Sequence, residues 1–297
     1  MSATAAALPD KGKNFSQTRR LWCGNTFLDL TQPVVMGILN ITDDSFYDGG
    51  RYLTETAVMN RTEQMLAEGA RIIDAGAIST RPGSRPLPAE AETERLLPVV
   101  KNIVRNFPEA LVSVDTYRAE VARAVAGEGA HIINDISGGT MDKTMPATMA
   151  KLEAAYVLMH IKGTPENMQQ NPEYKDVTKD VGLFFRQQLD QFVKHGKTNI
   201  ILDPGFGFGK TIAHNYTLLH ELESFHDFGY PLLVGVSRKS MIYKALGTNP
   251  EEALNGTTVV NTLALERGAH ILRVHDVKPA VEAIKIIALL RESRPNA

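Results

Sequence analysis

Eight times along this sequence an apolar run ends on polar side chains, breaks at a turn and gives way to a helical pattern. The fullest instance is 199–211, NIILDPGFGFGKT, in which Ile200, Ile201 and Leu202 lead to Asp203, a proline and three alternating glycines. The others are MGILN ending at Asn40, IIDAG with Asp74, LVSVD ending at Asp115, HIIND with Asn134 and Asp135, YVLMH ending at His160, LLVGVSRK with Lys239, and ILRVHD with Arg273 and His275. Strand, polar residue, turn and helix is the order in which a parallel α/β sheet presents side chains at its strands' carboxyl ends. Right-handed crossovers between such units build a parallel sheet. Eight of them without a break in composition predict one closed (β/α)₈ TIM barrel. An open doubly wound sheet would need a nucleotide fingerprint at its switch point, and the glycines here miss that spacing.

The predicted strands are 34–41, 71–77, 111–115, 131–136, 155–160, 199–203, 232–236 and 271–274. Helical patterns cover 54–68, 89–106, a stretch ending at 128, 177–195, 212–228, 239–246, 251–267 and 279–291. The segment 21–30, LWCGNTFLDL, reads as an N-terminal β-hairpin about Gly24-Asn25 that lies outside the repeat and plugs one end of it. Residues 1–20 are expected to form a flexible N-terminal tail, and 21–297 a single barrel domain that includes the hairpin.

Composition narrows the function. The formal net charge of −2 carries no electrostatic footprint for nucleic acid or an anionic membrane. One cysteine, Cys23, cannot close an internal disulfide, which points to the reducing cytoplasm. No apolar run approaches the ~18 residues of a membrane span.

Three motif look-alikes fail on spacing. GFGFGKT would match a P-loop only with glycine at Pro204. Gly235-Val-Ser237-Arg-Lys239 sits where a nucleophile elbow would, but Lys239 replaces its second glycine. His220 and His226 are not at the spacing that puts two zinc ligands on one helix face. Each reads as an ordinary helix start or solvated face. Asp115, Asn134, Asp203 and Lys239 are harder to dismiss, because each closes an apolar run and charged groups are seldom buried without partners. They could form a brace, Asp115 and Asp203 with Lys239. Sites sit at the carboxyl ends of barrel strands, which favours a socket for a flat heterocycle, since carboxylates accept paired N–H groups and an amide both donates and accepts. Arg81, Arg273 and His275 add anion-binding character.

The ordered pieces MGILNITDDSFYDGG, GARIIDAGAISTRPGS, SVDT, IINDISGG, LMHIKGTPENMQ, ILDPGFGFGKT, GVSRKS and RVHDV resemble the dihydropteroate synthases of folate biosynthesis, over about 34–291. The resemblance implies a (β/α)₈ barrel that joins p-aminobenzoate to 6-hydroxymethyl-7,8-dihydropterin diphosphate, giving 7,8-dihydropteroate and pyrophosphate. It implies that Asp115, Asn134, Asp203 and Lys239 bind the pterin, with Met159 on the ring face. It assigns Mg²⁺ to Asn40, and the diphosphate to Asn40, Arg81, Arg273 and His275. Phe46, Thr80, Arg81, Pro82, Lys239 and Ser240 correspond to the p-aminobenzoate rim, which sulfonamides would also occupy. Asp115, Lys239, Arg273 and His275 become the catalytic set, and a homodimer through the later helices is expected. The sequence departs from the family at Asp43, where most members have proline, and at Ala77-Ile78, where Gly-Glu is usual. Two rivals are a pterin-dependent methyltransferase on the same barrel and a non-catalytic pterin-binding barrel. The first does not need STRPG, SRKS or a diphosphate site, and the second would be favoured by loss of Asn40, Arg81 or Lys239.

Overall fold

The computed structural model describes residues 19–41, 51–77 and 87–293. Phe46, Thr80, Arg81 and Pro82, the departures Asp43 and Ile78, and nearly all of the expected tail lie outside the described residues.

A two-stranded antiparallel hairpin, β1 (Arg20–Cys23) and β2 (Thr26–Asp29), comes first. Its turn uses Gly24 at φ 65°, left-handed backbone that suits glycine. Eight strands then build the main sheet: β3 (Val34–Asn40), β4 (Ile72–Gly76), β5 (Leu111–Asp115), β6 (Ile132–Asp135), β7 (Ala155–Met159), β8 (Ile200–Asp203), β9 (Leu233–Val234) and β10 (Ile271–Val274). They pair in the order β8-β7-β6-β5-β4-β3-β10-β9, all parallel. A bridge between Leu202 and Leu232, where the Leu202 N–H donates to the Pro231 carbonyl at 2.9 Å, joins β8 to β9 and closes the barrel. The eight-stranded barrel expected from the repeat is the observed fold.

The strands are near-continuous aliphatic runs because both faces are covered. Their period of two sorts the side chains. Val35, Ile73, Val112, Val114, Ile133, Leu158, Leu202 and Leu272 face outward into the main core under the helices. Met36, Ile72, Leu111, Ile132, Val157, Ile201, Leu233 and Ile271, near the strand starts, belong to a separate cluster with Leu21, Cys23, Leu28 and Leu30. The hairpin therefore caps the amino-terminal end of the barrel, and it is tied there by the Gly24 N–H on the Glu153 carbonyl at 3.0 Å.

Among the described residues the helices are α1 (Arg51–Ala67), α2 (Ala89–Asn106), α3 (Ala119–Gly127), α4 (Met145–Met149), α5 (Val177–Lys194), α6 (Ile212–His220), α7 (Ser240–Tyr243), α8 (Leu254–Glu266) and α9 (Val277–Glu292). In α2, Leu96, Val99, Val100 and Ile103 recur at helical spacing and are buried, while Glu90 and Glu92 occupy the first turn, where the helix dipole favours anions. Two differences from the sequence reading stand out. Helix α4 was not predicted, since five residues are too few to show a period. The pattern at 212–228 splits into α6 and a 3₁₀ segment, Leu222–Phe228, which stops at Gly229 with φ 73°. Among the described residues no helix is long and apolar enough to cross a membrane.

Candidate active site

Strand parity decides which polar groups enter the barrel. With Ile72, Leu111, Ile132, Val157, Ile201 and Ile271 inside, two steps along each strand bring Asp74, Ser113, Asn134, Met159, Asp203 and Arg273 inside as well. Two further steps on β5 add Asp115. Register sets their heights: Asp74 pairs with Ser113, Asp115 with Asn134 and Met159 with Asp203. Asp135 has the opposite parity and is buried toward the helices, accepting from Tyr156 Oη at 2.6 Å.

Asp74 is the centre of the cluster. It is fully buried, and its Oδ1 accepts from Ser113 Oγ at 2.6 Å. Its Oδ2 accepts from Asn134 Nδ2 at 3.1 Å and from Arg273 Nε at 2.6 Å. Arg273 Nη2 reaches on to Asp115 Oδ2 at 3.0 Å. One guanidinium therefore bridges two carboxylates, using two of its five donors. The brace expected of Asp115 and Asp203 with Lys239 is not the one formed: Arg273 ties Asp115 to Asp74, and Asp74 was not among the candidate residues. Its signal was an acid in the middle of an apolar run, a position of inward parity on β4.

Asp203 and Lys239 face the same mouth without an ion pair of their own. Asp203 Oδ1 accepts the Gly205 N–H at 2.7 Å. Lys239, the residue before α7, sends Nζ to the Phe206 carbonyl at 2.5 Å and lies 4.6 Å over the Phe208 ring. Lys239 Nζ and the Arg273 side chain flank Gly235, where a Cβ would meet them at 3.9 Å and 3.8 Å. Met159 packs with Ile136, Ile161, Met168 and Phe208, an apolar wall beside the acids. A flat ring could lie on that wall while its polar edge meets Asp115, Asn134 and Asp203.

Burial shapes the charges. It pushes the Asp115 carboxyl up to about 7; Arg273 opposes this, and Asp74, Glu92 and Asp135 reinforce it. Asp203 is also raised by burial, against the pull of Lys239 and the Gly205 N–H. Burial brings the Lys239 amine down to about 8. His275 is held near 4 by burial and then by Arg273, so its ring is neutral at pH 7. Ser237 Oγ accepts the His275 backbone N–H at 3.2 Å and stands 3.0 Å from Nδ1, and a hydroxyl donating there leaves the ring proton on Nε2. Arg61 Nη2 donates to the His275 carbonyl at 2.8 Å. Arg61 was not singled out from the sequence, and Ser237 entered the sequence reading only in the rejected nucleophile-elbow match.

Asn40 is exposed at the carboxyl end of β3, on the inward parity of Met36. Ser240 opens α7 and is partly exposed. Among the described residues no group of three or more His, Cys, Asp and Glu could hold a metal ion.

The pterin binding enzyme family matches residues 36–275 of this chain. The chain is 44% identical to the dihydropteroate synthase of Escherichia coli (strain K12) over 279 residues, covering 93% of this chain and 98% of that protein. It is similar to the crystal structure of Yersinia pestis dihydropteroate synthase in a sulfonamide drug complex, with a TM-score of 0.87, 41% identity, and coverage of 92% of this chain and 100% of that one. The Xanthomonas albilineans dihydropteroate synthase with 4-aminobenzoic acid matches with a TM-score of 0.86 at 37% identity, over 94% of this chain and 100% of the other.

Proposed function

The chain belongs to the pterin-binding enzymes and, among them, to the dihydropteroate synthases, and from that premise we propose how its barrel mouth divides the work. The protein is a transferase that condenses 6-hydroxymethyl-7,8-dihydropterin diphosphate with p-aminobenzoate. The observation that carries the residue assignment is the convergence of Asp115, Asn134 and Asp203 inside one end of the barrel, above the brace of Asp74 and Arg273. Asp203 and Asn134 meet the amidine-like edge of the pterin, Met159 supports its face, and Lys239 lies at its rim. Arg273 and His275, on β10 and just beyond it, face the diphosphate with Asn40.

In the reaction the amine nitrogen of p-aminobenzoate attacks the exocyclic methylene carbon. The carbon–oxygen bond to diphosphate breaks, pyrophosphate leaves with the electron pair, and the amine gives up one proton to the pyrophosphate or to water. No protein nucleophile is required. Departure can run ahead of attack because the electron-rich dihydropterin spreads the positive charge, and an ionised Asp115 steadies it. Asp74 and Arg273 keep Asp115 in place. Ser237 fixes the His275 ring, so that its Nε2 proton can be donated to a phosphate oxygen. The enzyme's contribution is positioning and stabilisation of the leaving group.

Mg²⁺ fits the mouth. An exposed amide, Asn40, suits a hard cation that takes oxygen ligands and keeps several waters, and among the described residues the donor set is not that of a closed zinc site. When bound, the ion neutralises charge on the diphosphate. Purified protein mixed with both substrates and Mg²⁺ is expected to release pyrophosphate and form dihydropteroate. Turnover should vanish with EDTA and return with added Mg²⁺. Full activity after thorough metal removal would refute the role given to Asn40.

A homodimer through the later helices is supported by Val259 and Leu263 on α8 and Ile286, Leu289 and Leu290 on α9, large apolar side chains that all remain exposed. Sedimentation of the Leu263→Glu, Leu289→Glu double variant should give a monomer under conditions where the unmodified chain sediments as a dimer. An unchanged dimer would place the interface elsewhere.

A further inference from the structure

Gly205, Gly207 and Gly209 all hold left-handed backbone, at φ 70°, 83° and 64°. A Cβ on Gly205 would stand 1.9 Å from the His160 carbonyl oxygen, and one on Gly209 would stand 2.4 Å from that of Lys162. Only glycine permits both the dihedral and the approach. The alternation thus folds 204–210 back against the end of β7 and turns its carbonyls onto one atom, Lys210 Nζ. That amine belongs to a side chain only 3% exposed. It donates to the Gly205 carbonyl at 2.8 Å and the Phe208 carbonyl at 3.0 Å, and lies 2.8 Å from His160 Nδ1. Burial, and after it the charges of Lys210 and Lys162, hold His160 neutral, so Nδ1 can accept. Burial lowers the Lys210 amine well below its ordinary value while Asp203 opposes the shift, and a buried amine needs its donors met: four acceptors face it, these three and the His160 carbonyl at 3.4 Å.

The same segment supports a second lysine. Phe206 and Phe208 supply the carbonyl and the ring on which the Lys239 amine rests. Gly207 leaves room for the Lys239 stem, since a Cβ there would stand 3.1 Å from its Cδ. One lysine lies buried under the loop while the other is partly exposed at the mouth. We propose that Lys210 is a positioning residue for the condensation: its amine fixes the 204–210 loop so that Phe206 and Phe208 hold the Lys239 amine at the pterin. The inference rests on the reading that Lys239 contacts the pterin.

The test is a double-mutant cycle on pterin affinity, read by calorimetry. Small displacements of a positioned group are costly, so Lys210→Met alone should weaken pterin binding by about 30-fold. In the Lys239→Met background the same change should cost about 2-fold or less, because residues acting through one another are not additive. A general loss of packing would instead weaken binding by the same factor in both backgrounds, and that result overturns the proposal. If Lys210→Met does not give a native near-ultraviolet spectrum, His160→Leu removes the imidazole acceptor and carries the same cycle, with about 5-fold expected alone and no loss beside Lys239→Met. Equal factors there overturn the proposal too. Should Lys239→Met by itself leave pterin affinity unchanged, the assignment of Lys239 fails and the role of Lys210 falls with it.

Discussion

Arg273→Met is expected to lower the unfolding free energy by about 3–5 kcal/mol, the usual cost of removing one partner from a buried charge network. Arg273 is the cation that faces both Asp74, which is fully buried, and Asp115, whose side chain is 9% exposed. Methionine keeps the length and packing of the stem and withdraws both ion pairs. The loss should also depend on pH. The Asp115 carboxyl already stands near 7 when folded, against 3.8 for an ordinary aspartate, so between those values the folded state holds the extra proton. Stability from such a group is complete below the unfolded value and is lost as pH rises through the folded one. Removing the opposing guanidinium raises the folded value further and widens that window. Urea midpoints should therefore fall more at pH 8 than at pH 5.5 relative to the unmodified protein. An unchanged midpoint at both pH values would mean that the guanidinium does not brace the acids.

Asp203→Ala is expected to weaken pterin binding at least ~100-fold, because two hydrogen bonds to a charged acceptor contribute about 1.5–3 kcal/mol each. Asp203→Asn separates charge from geometry. It keeps an acceptor for the Gly205 N–H, so the loop is retained, and it should lose about 10-fold. Calorimetry on folded variants reads both. Near-normal affinity of the alanine variant would remove Asp203 from the pterin socket.

Much of this site was legible because strand ends are where a parallel barrel exposes polar groups. Asp115, Asn134 and Asp203 each closed an apolar run, and register brought them together. Asp74, though noted within IIDAG, stayed out of the candidate set because Ala75 follows it before the turn; the parity of β4 shows that it faces inward. Lys210 was read as the ordinary start of a helix after its P-loop spacing failed. Its burial depends on three carboxyl-terminal loop glycines and on His160, fifty residues away in sequence, and no local pattern encodes that meeting. Arg273 was expected to face diphosphate, and its two carboxylate partners became visible only in three dimensions. The hairpin was legible as a plug because its alternating apolar residues had no partner within the repeat.

The barrel wall is uneven. β3 runs seven residues and β9 only two, and among the described residues the joint between β8 and β9 is the one bridge from Leu202 to Leu232. Asp203 follows directly on one side of this joint, and Lys239 lies on the segment that continues from the other. A molecule that touches both is therefore a rivet as well as a passenger. Such a molecule would tie two staves where the backbone ties them least, and the occupied barrel is expected to be stiffer at that joint than the empty one.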